Sequence, residues 1–146
     1  TIFTAFEYTR RFDTNPKTCW VGNPVRKEAA PHFSQPTVLK GFDPQKFTLL
    51  ITGGSQGAKS INATVIQALE LMNNPADRFN IIHQTGKSDE ENIRAAYERL
   101  AIPATVQAFF TDLPNLQERS DLVISRSGAG TVFELCAKGR PAILIP

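Results

Sequence analysis

From Phe47 to the last residue the chain alternates: a short apolar run, a turn, then apolar residues at helical spacing. This rhythm limits the fold more than any other feature. Phe47–Thr52 is β-rich and apolar on both faces, as strands of a covered parallel sheet are. Gly53-Gly54-Ser55-Gln56-Gly57 interrupts it, and Ile61, Val65, Ala68, Leu69 and Met72 then mark one face of a helix that Asn73-Asn74-Pro75 stops. The cycle repeats with a strand over Phe79–Gln84, a break at Gly86, and a helix carrying Ile93, Ala96, Tyr97 and Leu100. Ser88 with Glu91 three residues on reads as its capping box. Thr105–Phe110 is a third strand, with a short helix near Asn115–Arg119. Leu122–Ser125 is a fourth strand, with a helix over Thr131–Lys138 that Gly139 ends. Pro141–Pro146 makes a fifth. Such alternation with short connections predicts an α/β fold: a Rossmann-like parallel sheet with helices on both faces.

The first 46 residues differ. Prolines recur at Pro16, Pro24, Pro31, Pro36 and Pro44 between short apolar stretches, and no long periodic helix is evident. The 146-residue chain starts at Thr1 and ends on an apolar strand that a further helix should cover, so a piece of a longer protein is expected. A formal net charge of +2 gives no reason to invoke nucleic acid or an anionic membrane. The longest apolar runs fall far short of a membrane span. Cys19 and Cys136 stand alone, without metal-ligand spacing to either histidine, as two reduced cysteines would.

Open α/β sheets bind ligands at the carboxyl ends of their strands, which directs attention to three loops: Gly53–Gly57, Phe109–Leu113 and Ser127–Thr131. In the first, glycines allow a tight turn and close approach to an anion, while free helix amides favour phosphate. The stretch through Lys59-Ser60 nearly matches the phosphate loop of nucleotide triphosphatases, but Ala58 replaces the second glycine and Asp121 lies at the wrong end of its strand to hold magnesium. It is not G-x-G-x-x-G either, so a nicotinamide dinucleotide is poorly supported. In Ser127–Glu134, Thr131 and Glu134 could simply cap a helix. Two glycine-rich strand–helix turns in one sheet favour a nucleotide diphosphate instead, with Glu134 placed to accept from ribose hydroxyls. His83 could line the cleft, although a hydrogen-bonded structural role suits it better. Trp20 reads as packing near a domain junction.

Gly22-Asn23-Pro24-Val25-Arg26, Gly53-Gly54-Ser55-Gln56-Gly57-Ala58, His83-Gln84-Thr85-Gly86-Lys87, Phe109-Phe110-Thr111-Asp112-Leu113 and Asp121–Glu134, in this order, resemble the MurG family of cell-wall N-acetylglucosaminyltransferases. The resemblance spans essentially the whole chain. It implies a truncated donor domain of the two-domain GT-B fold: residues 1–26 ending the acceptor domain, 27–46 a linker, and 47–146 an incomplete UDP-sugar-binding domain. The family moves N-acetylglucosamine from UDP-N-acetylglucosamine to lipid I with inversion, giving lipid II.

By the same resemblance Arg26 lies near the donor diphosphate and uridine, and Gly54, Ser55, Gln56 and Gly57 form the phosphate loop. Phe110 offers backbone groups to uracil, Ala129, Gly130 and Thr131 open the helix beneath the α-phosphate, and Glu134 takes the ribose hydroxyls. At Gly130 some members carry a larger apolar residue. No cofactor or metal is implied, and no Asp-x-Asp motif is present. The catalytic base, the lipid I contacts and the membrane-docking patch belong to the family's first domain, so no catalytic residue is expected here. The implied location is cytoplasmic, with the whole protein peripheral on the inner membrane. A non-catalytic UDP-binding module is the alternative, and a phosphate-loop triphosphatase a remote one.

Overall fold

The computed structural model describes residues 1–9, 12, 14–25, 39, 42–54 and 57–146. In chain order the described elements are β1 (Ile2–Thr4), β2 (Thr18–Trp20), β3 (Phe47–Thr52), α1 (Lys59–Glu70), α2 (Pro75–Arg78) and β4 (Phe79–Gln84). There follow α3 (Glu90–Arg99), β5 (Ala104–Gln107), α4 (Leu113–Glu118), β6 (Leu122–Arg126), α5 (Ala129–Lys138) and β7 (Ala142–Ile145). β1 and β2, which the sequence did not signal, pair in parallel as a two-stranded sheet.

The remaining five strands form one sheet in the order β5-β4-β3-β6-β7, with every neighbouring pair parallel. The expected α/β class is what the chain adopts. Side chains alternate across a strand, so β3 feeds two cores. Leu49 and Ile51 join Ile81 and Val106 beneath α1 and α3, whose Ile61, Val65, Leu69, Ile93 and Tyr97 close that layer. Leu50, Ile82 and Val123 point the other way, against Leu116 of α4 and Leu135 of α5. Burying each such side chain stabilises the fold by about 1.5–3 kcal/mol before entropy is counted. β7 is the open edge, with Ile143 and Leu144 exposed.

Three local expectations change. The third strand stops at Gln107 rather than Phe110. β4 ends at Gln84 and Gly86 turns away at φ 78, so the Phe110 amide bonds to the Gln84 side chain instead of a ladder carbonyl. The capping box at Ser88 does not form: α3 starts at Glu90 after Asp89, whose carboxylate instead accepts from Asn62. Nor does the one at Thr131, because α5 starts at Ala129 with Gly128 as its cap residue. Glu134 therefore sits in the second turn of α5. Gly139 ends α5 as expected, left-handed at φ 60, with the Arg140 amide reaching back to the Leu135 carbonyl.

Candidate nucleotide-diphosphate site

In sequence order the sheet grows from β3 to β4 and β5 on one side, then to β6 and β7 on the other. The reversal opens a crevice at the carboxyl ends of β3 and β6, the usual ligand position in such sheets. A cavity of about 340 Å³ occupies this place. Thr52, Gly54 and Gln84 form its floor, Phe109, Phe110 and Leu113 one wall, and Gly130, Thr131 and Glu134 the other.

Two helices begin at this edge of the sheet, α1 after the first glycine-rich turn and α5 after the second. Neither has a side-chain cap or an acidic residue in its first turn. The first amides of a helix have no partner within it, and the peptide dipoles leave that end partly positive. Among the described residues, no cap or first-turn carboxylate offsets that charge at either end. In α5 the first in-helix bond of this kind, Val132 N–H to the Gly128 carbonyl at 3.0 Å, leaves Ala129, Gly130 and Thr131 as the amides ahead of it. An anion is what such an edge suits. Glu134 is buried on the same wall, one turn further along α5, where a carboxylate can accept from hydroxyls without touching the phosphate end.

Of the residues the sequence nominated, Gly54, Phe110, Gly130, Thr131 and Glu134 come together around the cavity. Ala129 is exposed at the mouth of the α5 turn. Gly57 packs beneath the loop rather than lining the cavity: a Cβ there would lie 2.1 Å from the Thr85 carbonyl oxygen. Arg26, Ser55 and Gln56 lie outside the described residues.

His83 belongs to the other face of the sheet. It is fully buried, with Nδ1 at 2.9 Å from the Tyr97 hydroxyl and Nε2 at 3.0 Å from Asn62 Oδ1. Asn62 spends its amide hydrogens on the Thr85 carbonyl and the Asp89 carboxylate, so its oxygen accepts from His83 Nε2–H, and Nδ1 in turn accepts from Tyr97. Burial lowers the His83 pKa from 6.5 to about 4, against an opposing pull from Asp89, and raises that of Tyr97. His83 is a neutral structural histidine and does not line the cleft.

Gln84, the next residue, stands in the sequence only as part of the His83-Gln84-Thr85-Gly86-Lys87 motif. Its side chain forms the cavity floor and bonds to both neighbouring loops. The signal available was its place at the end of a strand pattern, where alternation sends it opposite His83.

Trp20 is 59% exposed, and its indole N–H donates to the Ala5 carbonyl at 3.1 Å. Cys19 and Cys136 are both free and exposed. Asp121 accepts from the Thr48 amide at 2.7 Å, at the amino end of β6 and so at the opposite edge of the sheet from the glycine turn. That position removes the acidic partner a phosphate-loop triphosphatase needs. Among the described residues no cluster of three or more His, Cys, Asp or Glu could hold a metal, and no helix is long and apolar enough to cross a membrane.

Residues 48–146 match the family model of the glycosyltransferase family 28 C-terminal domain. Among known proteins the chain is similar to UDP-N-acetylglucosamine–N-acetylmuramyl-(pentapeptide) pyrophosphoryl-undecaprenol N-acetylglucosamine transferases. That of Myxococcus xanthus is 35% identical over 99% of this chain and 37% of its own length. That of Geobacter sulfurreducens is 37% identical over 99% and 40%, and that of Brucella abortus 41% over 89% and 34%. A crystal structure of Acinetobacter baumannii MurG superposes with a TM-score of 0.63 at 33% identity, covering 72% of this chain and 30% of that one. The chain thus spans well under half the length of these relatives.

Proposed function

The chain belongs to the glycosyltransferase family 28 C-terminal domains, and on that footing we propose that it is the donor-binding part of an inverting N-acetylglucosaminyltransferase. The whole protein would carry N-acetylglucosamine from UDP-N-acetylglucosamine to lipid I, giving lipid II for peptidoglycan. The relatives above bear the name of that activity. The observation that carries the reading is a crevice lined by Gly54 of the first glycine-rich turn and by Gly130, Thr131 and buried Glu134 in the uncapped start of α5.

Each part has a task in this reading. The turn at Gly54–Gly57 and the amides of Ala129, Gly130 and Thr131 cradle the diphosphate, with Arg26 adding a cation. As the bond from sugar to phosphate breaks, negative charge builds on the departing UDP, and oriented amides stabilise it without reorganising. Glu134 accepts from the ribose hydroxyls. The Phe110 amide is already engaged by Gln84 at 2.9 Å, so we assign base reading to the Phe110 carbonyl. A carbonyl accepts from the N3–H of uracil, whereas N3 of cytosine is itself an acceptor and is refused. The division into residues 1–26, 27–46 and 47–146 is part of the same proposal, as are lipid I contacts and membrane docking outside these residues. The location it fits is the cytoplasmic face of the inner membrane.

Titration calorimetry with UDP and ATP, each with and without magnesium, tests the reading. UDP should bind without needing magnesium and ATP more weakly; magnesium-dependent preference for ATP would sink it. In the same assay Glu134→Ala should weaken UDP by about 1–3 kcal/mol, the usual loss of a charged hydrogen-bond partner. Unchanged affinity would return Glu134 to a packing role.

A further inference from the structure

Gln84 ends β4 and is 1% exposed. Its Nε2 donates to the Gly54 carbonyl at 3.0 Å and to Thr52 Oγ1 at 3.2 Å, while its Oε1 accepts the Phe110 amide at 2.9 Å. Two donor hydrogens and an acceptor oxygen are thereby matched to three partners, which fixes the orientation of the amide. A flipped amide would set oxygen against the Gly54 carbonyl and NH2 against the Phe110 N–H.

The two loops held this way come from different strands. Gly54 lies in the turn after β3, at φ 89 and with nothing within 4 Å of where a Cβ would stand. Phe110 lies beyond the end of the β5 ladder at Gln107, where strand pairing no longer sets its position. The glutamine bridges them across the cavity floor.

We propose that Gln84 is a positioning residue that sets the separation between the diphosphate turn and the segment that reads the nucleobase. The proposal rests on the reading of the crevice as a UDP site. Base and diphosphate are two ends of one ligand, so full affinity needs both subsites at one spacing in advance of binding. Without the clasp each loop can still exist, but the two no longer agree. Whole-ligand affinity and base discrimination then fall together, whereas a glutamine that only supports the fold would change stability alone.

The test is calorimetry on the intact protein with UDP and CDP, for wild type, Gln84→Met and Gln84→Glu. Wild type should favour UDP. Gln84→Met should weaken UDP at least about tenfold, roughly one well-made hydrogen bond, and CDP by less, so the preference shrinks. A folded Gln84→Met with wild-type UDP affinity and UDP-to-CDP ratio overturns the proposal. Gln84→Glu keeps the size but turns a carboxylate toward the Gly54 carbonyl. Its UDP affinity relative to wild type should be poor at pH 8 and recover towards pH 6, as a protonated carboxyl again donates. Should Gln84→Met fail to fold, a Gln84→Glu ratio that does not move with pH overturns the proposal. Wild type that binds neither nucleotide overturns the reading of the crevice itself, a different result from any of these.

Discussion

The two glycine-rich turns look alike in the sequence and are opposite in the structure. In the first, a Cβ on Gly53 would lie 2.2 Å from the Ala58 amide nitrogen, and one on Gly57 would lie 2.1 Å from the Thr85 carbonyl oxygen. Gly57 also sits at φ 77. These glycines are there because the backbone is pressed against its own support. In the second turn, a Cβ on Gly128 or Gly130 would meet nothing within 4 Å. Those glycines leave space rather than fit into it. Gly54, between the two, is open like the second turn, so the clamping in the first turn is the work of Gly53 and Gly57 at its ends, whereas in the second turn Gly128 and Gly130 are both open. The first turn is thus a seat clamped at its ends, and the second an open mouth.

The sharpest way to break this comparison is Gly57→Val. A branched side chain would face both the left-handed backbone and the Thr85 carbonyl, so stability should fall by about 3 kcal/mol or more. Urea denaturation measures it, and a loss under about 1 kcal/mol would mean the seat can shift and the clamp is not real.

The support beneath the seat gives the next effect. Asn62 holds the Thr85 carbonyl against which Gly57 packs, and neutral His83 holds Asn62. Its pKa is lowered to about 4 in the fold, so the folded state binds fewer protons than the unfolded chain between there and 6.5. That contribution is fully present above pH 6.5 and is lost as pH falls toward 4, roughly 3 kcal/mol in all. Denaturation between pH 7 and 4.5 should therefore show a steeper decline for wild type than for His83→Gln, which cannot titrate. Parallel declines would detach His83 from the stability of the seat.

Much of this was legible beforehand, and the misses have physical causes. Phe47–Thr52 stands out in the sequence because a strand covered on both faces is largely apolar, and Phe79–Gln84 because Phe79, Ile81 and Ile82 open a run that Gly86 breaks; the structure keeps both spans. Gly139 was readable because only a left-handed cap follows the end of α5 there. The capping boxes at Ser88 and Thr131 failed because the side chains that would define them sit among tertiary partners and steric choices that sequence spacing does not contain. Asp89 bonds to Asn62 from another helix, and Gly128 already opens α5. The third strand ends earlier than its sequence suggests for a related reason. Strand propensity continues through Phe109-Phe110, but the neighbouring strand has turned away at Gly86, and a long-range side chain takes the amide. In the site, Gly130, Thr131 and Glu134 followed from loop position. Gln84 did not, because its importance lies in which two loops it joins, a property of the folded sheet alone.

The smallest expected effect is the most discriminating for the second turn. Gly130 is the second residue of α5, and alanine costs less backbone entropy than glycine in a helix. With open space where the Cβ would stand, Gly130→Ala should raise stability by about 0.5 kcal/mol, the reverse in sign of any substitution at Gly57. Its methyl leaves the amides of Ala129, Gly130 and Thr131 in place, so UDP affinity should stay within about threefold, less than 1 kcal/mol. Thermal denaturation and calorimetry on the same sample read both quantities. A destabilised Gly130→Ala would mean that the mouth, too, is shaped by contact, and the contrast between the two turns would collapse. A stable variant that loses UDP would keep the contrast and sharpen it, since the empty space beside Gly130 would then be space the ligand itself fills.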